Sequence, residues 1–424
     1  MTDECHDLAI VGASAAGLMA AIQAGREAGR RGRPLRVVAL DGAARLGAKI
    51  LVAGGGRCNV THDVVDERSF SGSSAAAVRN VLRRFDVAAT IRFFEELGVP
   101  LKREETGKLF PVDDRARSVL EALLRACRDV NVRLLHPWRA ASIERSQAGF
   151  TIAGPGGSIE AGRVVLATGG LALPKSGSDG AGLAMARRLG HTTAPVFPAL
   201  VPLVLADGAF VRSLAGIAVP ARLTLRSSSG KAFTKIDGPV LCTHFGLSGP
   251  AVLDMSRHWN AARREDPSVM LTLDWIPGWS WDDDGTAGVC LRKHLPERLA
   301  DALCREAGVE PGAPLARLSR ERRRALHETT GAWRVPVTGD RGFTHAEVTA
   351  GGIPLREAHL TTLESRVCPG LHLAGEILDV DGRIGGYNFQ WAWATGTIAG
   401  SSAAAALLQD TASRSGGSTP AASR

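Results

Sequence analysis

The feature that most constrains this chain is a glycine-bounded turn between a short apolar run and a helix-forming segment. Residues 6–11 (HDLAIV) have the length and apolar content of a buried strand, and residues 12–17 (GASAAG) follow directly. The turn leads into residues 18–22 (LMAAI), which predict a helix. It is a variant of G-x-G-x-x-G with Ser14 in the second glycine position. This strand–turn–helix order is typical of dinucleotide-binding domains.

Each position of the turn has a physical reason. Gly12 permits the tight turn, and Gly17 lets the helix pack closely on the strand. Free amides at the start of the helix can bind a pyrophosphate, aided by the helix dipole. Ser14 is small enough to let a phosphate approach, and its hydroxyl can donate to it. The cofactor contacts predicted here are Gly12, Ala13, Ser14, Ala16 and Gly17.

A second strand, residues 35–40 (LRVVAL), ends in an acidic residue, Asp41. An acid at this place accepts hydrogen bonds from the ribose hydroxyls of an adenosine and would repel a 2′-phosphate. The order of elements therefore predicts dinucleotide binding, with a plain strand–helix–strand unit as the alternative. FAD and NAD share this fold, so other segments must decide between them.

The most unusual stretch is residues 47–61 (GAKILVAGGGRCNVT). Three consecutive glycines suit a loop whose backbone lies against a flat ligand, because they cannot form a helix or strand interior at low cost. Arg57 and Lys49 supply positive charge for a pyrophosphate or a reduced flavin. Cys58 is either a thiol near the flavin or, the favoured interpretation, a small residue in a tight turn. The predicted cofactor residues here are Lys49, Gly54, Gly55, Gly56, Arg57, Cys58 and Asn59.

Three segments further along the chain favour FAD. Residues 164–170 (VVLATGG) and 371–376 (LHLAGE) read as strands that end in glycine turns. Residues 379–390 (DVDGRIGGYNFQ) precede a helix that starts at a double glycine, whose amides can stabilise the negative charge that grows at N1 and O2 of a reduced flavin. The predicted contacts are Thr168, Gly169, Gly375, Glu376, Asp381, Gly385, Gly386, Tyr387 and Asn388.

With these blocks the chain resembles the BaiN/RdsA-like FAD flavoproteins. The resemblance spans about residues 6 to 400 and is carried by 54–59, 165–170, 174–180, 243–250, 348–353, 374–382 and 385–392. The chain has Ala53, Asp41 and Phe245 where the family usually has serine, glutamate and threonine. The resemblance implies a two-dinucleotide-binding-type fold, FAD, and reduction of a conjugated C=C with NADH or NADPH. Family members are linked to bile-acid enoyl reduction, to dihydrouridine formation in ribosomal RNA and to oxidation of small aminoketones.

Two residues are candidate catalytic groups. His244, in the segment THFGLSGP, is a proton donor or substrate contact, or else a hydrogen-bonded structural histidine. Tyr387, the single tyrosine, is expected to contact the flavin, with proton donation as the less favoured role. No motif for zinc, calcium, a nucleoside triphosphate or a serine nucleophile occurs, so no metal site is predicted.

The pattern of elements predicts an α/β protein with a Rossmann-like FAD-binding domain and an inserted substrate domain. The FAD domain is discontinuous, at 1–190 and 342–408. The insertion at 191–341 is expected to be strand-rich over 191–280 and helical over 281–341. The polar tail 409–424 is expected to be disordered.

Charge and cysteine content limit the possible partners and the cellular compartment. The formal net charge of +8 and the excess of arginine over lysine reflect either a GC-rich genome or a polyanionic partner such as ribosomal RNA. The seven scattered cysteines fit a reduced compartment, and the acidic start and lack of a long apolar run predict a cytoplasmic protein without membrane contact.

No second G-x-G-x-x-G follows a strand, so either the nicotinamide binds transiently at the flavin or the substrate itself reduces the flavin. An amine or aminoketone oxidase and a flavin electron-transfer module remain the alternative functions.

Overall fold

The computed structural model describes residues 4–147, 149–279 and 285–415, and it divides into two compact units. The first unit is formed by two stretches of chain, Met1–Val196 and Val348–Arg424. The second unit is the single stretch between them, Phe197–Glu347. The chain therefore leaves the first unit, builds the second, and returns.

The described part of the chain contains both helices and strands along its whole length. The α-helices are α1 (Ala15–Arg30), α2 (Ala48–Gly56), α3 (Ala75–Leu82), α4 (Val87–Glu96), α5 (Ala116–Asp129), α6 (Ala181–Arg188), α7 (Pro250–Glu265), α8 (Ala287–Arg292), α9 (Glu297–Glu306), α10 (Arg320–Gly331) and α11 (Tyr387–Ser415). The strands are β1 (Glu4–Val11), β2 (Val37–Leu40), β3 (Thr61–His62), β4 (Phe70–Gly72), β5 (Leu101–Arg103), β6 (Lys108–Pro111), β7 (Arg133–Leu135), β8 (Ser142–Ser146), β9 (Gly149–Gly154), β10 (Gly157–Leu166), β11 (Ala194–Ala199), β12 (Leu203–Leu205), β13 (Ala218–Arg226), β14 (Ala232–Thr243), β15 (Gly246–Ser248), β16 (Met270–Asp274), β17 (Trp333–Arg334), β18 (Val337–Asp340), β19 (Val348–Gly352), β20 (Leu371–Leu373) and β21 (Val380–Gly382).

The first unit is organised by a sheet whose strands β7, β2, β1, β10 and β20 are parallel to their neighbours. Strand β10 pairs along its length with β1, while its other edge pairs first with antiparallel β9 and then with β20. The strands end in register: Val11 lies opposite both Leu40 and Leu166, and Leu166 lies opposite Leu373. Ligands of such sheets bind outside these carboxyl ends. The predicted Rossmann-like α/β class is confirmed.

Helices α1 and α11 lie in direct backbone contact because small residues line the contact. A Cβ on Gly396 would lie 2.4 Å from the carbonyl oxygen of Ala16, and a Cβ on Gly400 only 2.1 Å from that of Ala20. No side chain fits in either place. Helix α11 is thereby held against the helix that begins at the glycine turn.

The second unit contains an antiparallel sheet with the strand order β17-β16-β13-β14-β15-β12-β18. Two details differ from the sequence-based boundaries. The predicted strand-rich part contains a 16-residue helix, α7, because Val252, Met255 and Trp259 recur at helical spacing and are buried. The predicted helical part ends in β17 and β18, which complete the two edges of the sheet.

The predicted disordered tail is partly wrong. Helix α11 continues to Ser415, so the first seven residues of the range 409–424 are helical. The alanine-rich segment 402–408 has high helix propensity, and no glycine or proline occurs between Gly400 and Gly416. Arg33 donates to the carbonyl oxygen of Leu408 at 3.0 Å, which anchors this end. Residues 416–424 lie outside the described residues.

None of the helices in the part of the chain that the structure describes combines the length and the apolar character needed to cross a bilayer.

Replacing Gly400 by alanine is expected to destabilise the first unit, because the new methyl group would collide with the backbone of α1. Overpacking of this kind lowers the free energy of unfolding by roughly 1–3 kcal/mol. Gly29 in α1 provides the control, because a Cβ there meets nothing within 4 Å. Gly29→Ala should raise stability by roughly 0.5–1 kcal/mol. Urea unfolding of both variants measures the difference, and equal stabilities would contradict the close contact.

Candidate functional site

The glycine turn lies where the parallel strands end. Gly12 has φ of +97°, and a Cβ on it would lie 2.5 Å from the carbonyl oxygen of Ala167, just after β10. A Cβ on Gly17 would lie 1.7 Å from the carbonyl oxygen of Gly12. Ser14 occupies the N-cap position of α1, but its side chain makes no capping hydrogen bond. The hydroxyl and the first amides of α1 are therefore left for a ligand.

Asp41 holds the glycine turn against the end of β2. Its Oδ2 accepts a hydrogen bond from the amide of Ala13 at 2.8 Å, and its Oδ1 accepts one from the amide of Ala43 at 2.8 Å. Each carboxylate oxygen has a second lone pair, so both bonds leave acceptor capacity. Asp41 can therefore hold these two backbone amides and still accept hydrogen bonds from a ribose, as predicted.

The turn after β10 carries a buried hydroxyl without a partner. Thr168 Oγ1 makes no hydrogen bond among the described residues, and a Cβ on Gly182 would lie 1.7 Å from it. The neighbouring Gly169 has φ of +73°, and a Cβ there would lie 2.4 Å from the hydroxyl of Ser178. Asn59 Oδ1, after the glycine loop, is likewise buried and unpartnered. Orphaned polar atoms and glycine cradles of this kind fit a polar cofactor such as FAD.

Two residues that were assigned separately to the cofactor contact each other. Lys49 on α2 donates to Glu376, which follows β20, and the amide of Thr349 donates to the other oxygen of Glu376 at 3.1 Å. Both charged side chains are mostly buried. The positive charge of Lys49 is therefore balanced by Glu376 within the protein, and the contact of both residues with the cofactor stays a prediction.

Arg57 is paired within the protein, and its expected contact with the cofactor stays a prediction. Its guanidinium lies 2.6 Å from Glu104, 3.5 Å from Asp114 and 4.0 Å from the centre of the Phe110 ring. Two carboxylates and a ring face therefore hold the guanidinium beside β5 and β6. The pKa of Arg57 is raised, chiefly by its hydrogen bond to Glu104.

The three glycines before Arg57 lie at the surface in left-handed backbone conformations. Gly54, Gly55 and Gly56 have φ of +57°, +69° and +86°, and the regular helical conformation of α2 already breaks at Ala53, whose ψ is 143°. A Cβ on Gly55 would meet nothing within 4 Å. Glycine is therefore required here by the left-handed backbone conformation and not by crowding from other protein atoms. The exposed peptide planes can receive a flat ligand, as the sequence predicts.

Cys58 is fully buried and has a left-handed φ of +60°. Burial raises the pKa of its thiol to about 12. The thiol is therefore protonated at neutral pH and closed to solvent. This geometry agrees with a small residue in a tight turn and gives no support to a reactive thiol.

The start of α11 packs against β3. A Cβ on Gly386 would lie 2.6 Å from the carbonyl of Thr61. The Tyr387 ring stacks on His62, with ring centres 5.0 Å apart and planes 20° apart, and meets the edge of Phe70. Only 7% of Tyr387 is exposed. Sequence reasoning missed His62, although it lies four residues after Cys58, because nothing local links it to Tyr387.

Other residues predicted at this end have structural partners. Asn388 accepts from the amide of Gly382 at 2.8 Å and donates to its carbonyl at 2.9 Å, so its amide is used to hold β21. Asp381 lies on β21, is 3% exposed and pairs in register with Ser71 of β4. Gly385 lies between these residues and the tyrosine, and a Cβ there would lie 3.3 Å from the Tyr387 ring.

Gly375 links the end of β20 to both central helices. It has φ of +78°, and a Cβ on it would lie 2.8 Å from Ala16. Its amide donates to the Thr395 hydroxyl at 2.9 Å, and its carbonyl accepts from the indole of Trp391. The backbone at this predicted cofactor residue is therefore fixed from two sides.

His244 belongs to the second unit, in the exposed turn between β14 and β15. Its ring lies edge-on to Phe245, with centres 5.1 Å apart, and its carbonyl accepts from Arg212 at 3.0 Å. An exposed imidazole is open to a ligand. Its catalytic role stays a prediction.

The described residues contain no group of three or more His, Cys, Asp or Glu side chains arranged to hold an ion.

Comparison with known proteins gives matches over nearly the whole chain. Residues 6–402 match the family described as "HI0933-like protein Rossmann domain". The chain is 34% identical over 410 residues to a 3-dehydro-bile acid delta(4,6)-reductase of Clostridium scindens, covering 94% of this chain and 98% of that protein. It is 33% identical over 398 residues to a ribosomal RNA dihydrouridine synthase of Escherichia coli, covering 92% and 96%. The Haemophilus influenzae protein of the same name is 30% identical over 401 residues, covering 91% and 95%.

Replacing Gly12 by alanine is expected to abolish cofactor retention, because the methyl group would push the glycine turn away from the end of β10. Gly32→Ala is the matched control, since Gly32 also has a left-handed φ of +63° but nothing within 4 Å of its Cβ. The control should cost only the conformational penalty of about 1–2 kcal/mol. Flavin absorbance per protein measures retention, and a fully loaded Gly12→Ala variant would refute the assignment.

Proposed function

Because this chain belongs to the HI0933-like family of Rossmann-domain proteins, we propose that it reduces a carbon–carbon double bond conjugated to a carbonyl group. The chain is an FAD-dependent oxidoreductase. Its relatives are named for a steroid and for a ribosomal RNA uridine. Both names describe saturation of a double bond next to a carbonyl, so the shared chemistry is a firmer basis than either substrate.

One structural observation carries this proposal: the ends of β1, β2, β10 and β20 meet in register beside the start of α1. FAD bound at such an edge supplies hydride transfer. Ser14 and the first amides of α1 would hold the pyrophosphate, and Asp41 the adenosine ribose. The amides after Gly386 at the start of α11 would face developing negative charge.

Reduction of an enone or a uracil also needs a proton and a donor for the carbonyl oxygen. A hydride added at the β-carbon leaves an enolate, which hydrogen-bond donors stabilise until the α-carbon is protonated. His244 and Tyr387 are the proposed groups. Tyr387 is held by the stacked ring of His62, so its motion is restricted.

The charge distribution favours RNA as the acceptor to test first. Arg317, Arg320 and Arg322, on and just before α10, are exposed and make no side-chain hydrogen bond or ion pair with any described residue. Arg324, on the same helix, pairs with Glu328. Unpaired arginines bind phosphates, and such binding weakens steeply as salt rises.

Anaerobic addition of NADH or NADPH should bleach the flavin absorbance, because the proposed reaction takes its electrons from a nicotinamide. Unmodified ribosomal RNA or a steroid dienone should then restore it without oxygen. The control is a saturated steroid ketone, which offers no double bond. A flavin that stays oxidised with both nicotinamides but is bleached by an aminoketone would contradict the proposal and support an oxidase.

Replacing His244 by asparagine is expected to slow reoxidation of the reduced flavin by the acceptor roughly 100-fold, because proton donation would be lost. FAD content should not change, since His244 lies outside the unit that carries the cofactor edge. His359, an exposed histidine of the first unit, provides the control variant His359→Asn. Stopped-flow absorbance measures the rate, and equal rates in the two variants would exclude His244 as the proton donor.

A further inference from the structure

A cavity of about 360 Å³ lies in the first unit, bordered by α3, the start of α4 and the first turns of α11. Pockets of this order hold small molecules. It has an apolar wall, which includes Leu82 and Val87, and a polar rim of charged side chains. None of its lining residues was singled out in the sequence as a cofactor contact.

The rim carries one cation without a partner. Arg79, one turn earlier on α3, donates to Glu67, so that its charge is balanced. Arg83 is exposed and makes no side-chain hydrogen bond or ion pair with any described residue. A guanidinium in this state at the mouth of a cavity is suited to a phosphate.

Two carboxylates on the rim each keep one oxygen unused. Asp66 Oδ1 accepts from the amide of Arg68 at 2.9 Å, and Asp86 Oδ1 accepts from the amide of Ala89 at 2.8 Å. These bonds cap the starts of local helical turns. The Oδ2 atom of each carboxylate accepts nothing from the described residues. Free carboxylate oxygens of this kind accept hydrogen bonds from ribose hydroxyls.

The floor of the cavity is fixed and belongs to the flavin segment. Gln390, on α11, is 1% exposed; its oxygen accepts from the hydroxyls of Thr61 at 2.7 Å and Thr90 at 2.8 Å. Its amide nitrogen donates to the carbonyl of Phe85 at 2.8 Å. Because its oxygen and its amide nitrogen are both hydrogen-bonded, Gln390 is a rigid wall. It lies one helical turn after the double glycine that is proposed to face the flavin.

We propose that this cavity binds the ribose-phosphate part of the nicotinamide dinucleotide that reduces the flavin. Arg83 contacts a phosphate, Asp66 and Asp86 receive the ribose hydroxyls, and the base lies on Leu82. This assignment rests on the proposed function. The assignment also explains the lack of a second G-x-G-x-x-G in the chain, because this cavity would recognise the nicotinamide dinucleotide instead.

The same chemistry occurs in RNA, but the carboxylates favour the dinucleotide. An internal RNA nucleotide has lost the 3′-hydroxyl of its diol to the next phosphate and brings a chain of anions. The ribose of NADH keeps both hydroxyls for two carboxylates. A 2′-phosphate would replace one hydroxyl and meet these negative charges, so the cavity favours NADH over NADPH.

Arg83→Glu is expected to raise the NADH concentration for half-maximal flavin reduction roughly tenfold or more, because a charge-assisted hydrogen bond is replaced by repulsion. The limiting rate of reduction at saturation should stay within about twofold, since Arg83 binds the ligand away from the reacting atoms. Arg84 is the control: it is also exposed but does not line the cavity, so Arg84→Glu should behave as wild type. Rapid mixing of the FAD-loaded proteins with NADH measures both quantities.

Calorimetric binding of ADP-ribose separates this assignment from the proposed function, because it needs no electron transfer. ADP-ribose should bind wild type and Arg84→Glu but bind Arg83→Glu at least about tenfold more weakly. If ADP-ribose binds in this way while NADH leaves the flavin oxidised, the proposed reductase reaction fails and the cavity assignment holds. Equal binding to all three proteins, or an effect of Arg83→Glu confined to reoxidation by RNA, would overturn the assignment.

Discussion

The carbonyl of Gly12 stands where a side chain on residue 17 would begin, 1.7 Å from that virtual Cβ. Backbone therefore touches backbone between the end of β1 and the first turn of α1. The same kind of contact recurs between Gly12 and Ala167 and between Gly400 and Ala20. These contacts bring strand ends and helix starts within reach of a single ligand. Any side chain at these glycines would separate them.

Local patterns were sufficient to predict the backbone geometry of the glycine turn. A glycine that must adopt a left-handed φ, or make way for another backbone, is visible in the sequence because only glycine meets the requirement. The strand, the turn, the helix and Asp41 all appear where their residues predict. The sheet class follows as well, since parallel strands alternating with helices allow few arrangements.

Charge pairing could not be predicted in the same way. Lys49 and Glu376 are 327 positions apart, and Arg57 meets Glu104 across a separate three-stranded sheet. Lys49 and Arg57 were assigned to the cofactor by their charge, whereas folding decides which charges neutralise each other. The stacking of His62 on Tyr387 is similarly a product of the packing of α11 on β3. The helical residues 409–415 were expected to be disordered because their composition is polar. The preceding alanine-rich helix continues through them instead.

The distribution of paired and unpaired charge separates two kinds of binding within the first unit. The edge formed by β1, β2, β10 and β20 uses backbone amides and hydroxyls; beside it Lys49 and Glu376 pair with each other, and Asp41 accepts from two backbone amides. Binding at such a site removes water from few charged groups, which suits a cofactor that stays bound. Arg83 and the free oxygens of Asp66 and Asp86 have no partner among the described residues, so a ligand there must displace solvent from them at each binding event. That cost weakens binding, as a reductant that must leave after every turnover requires.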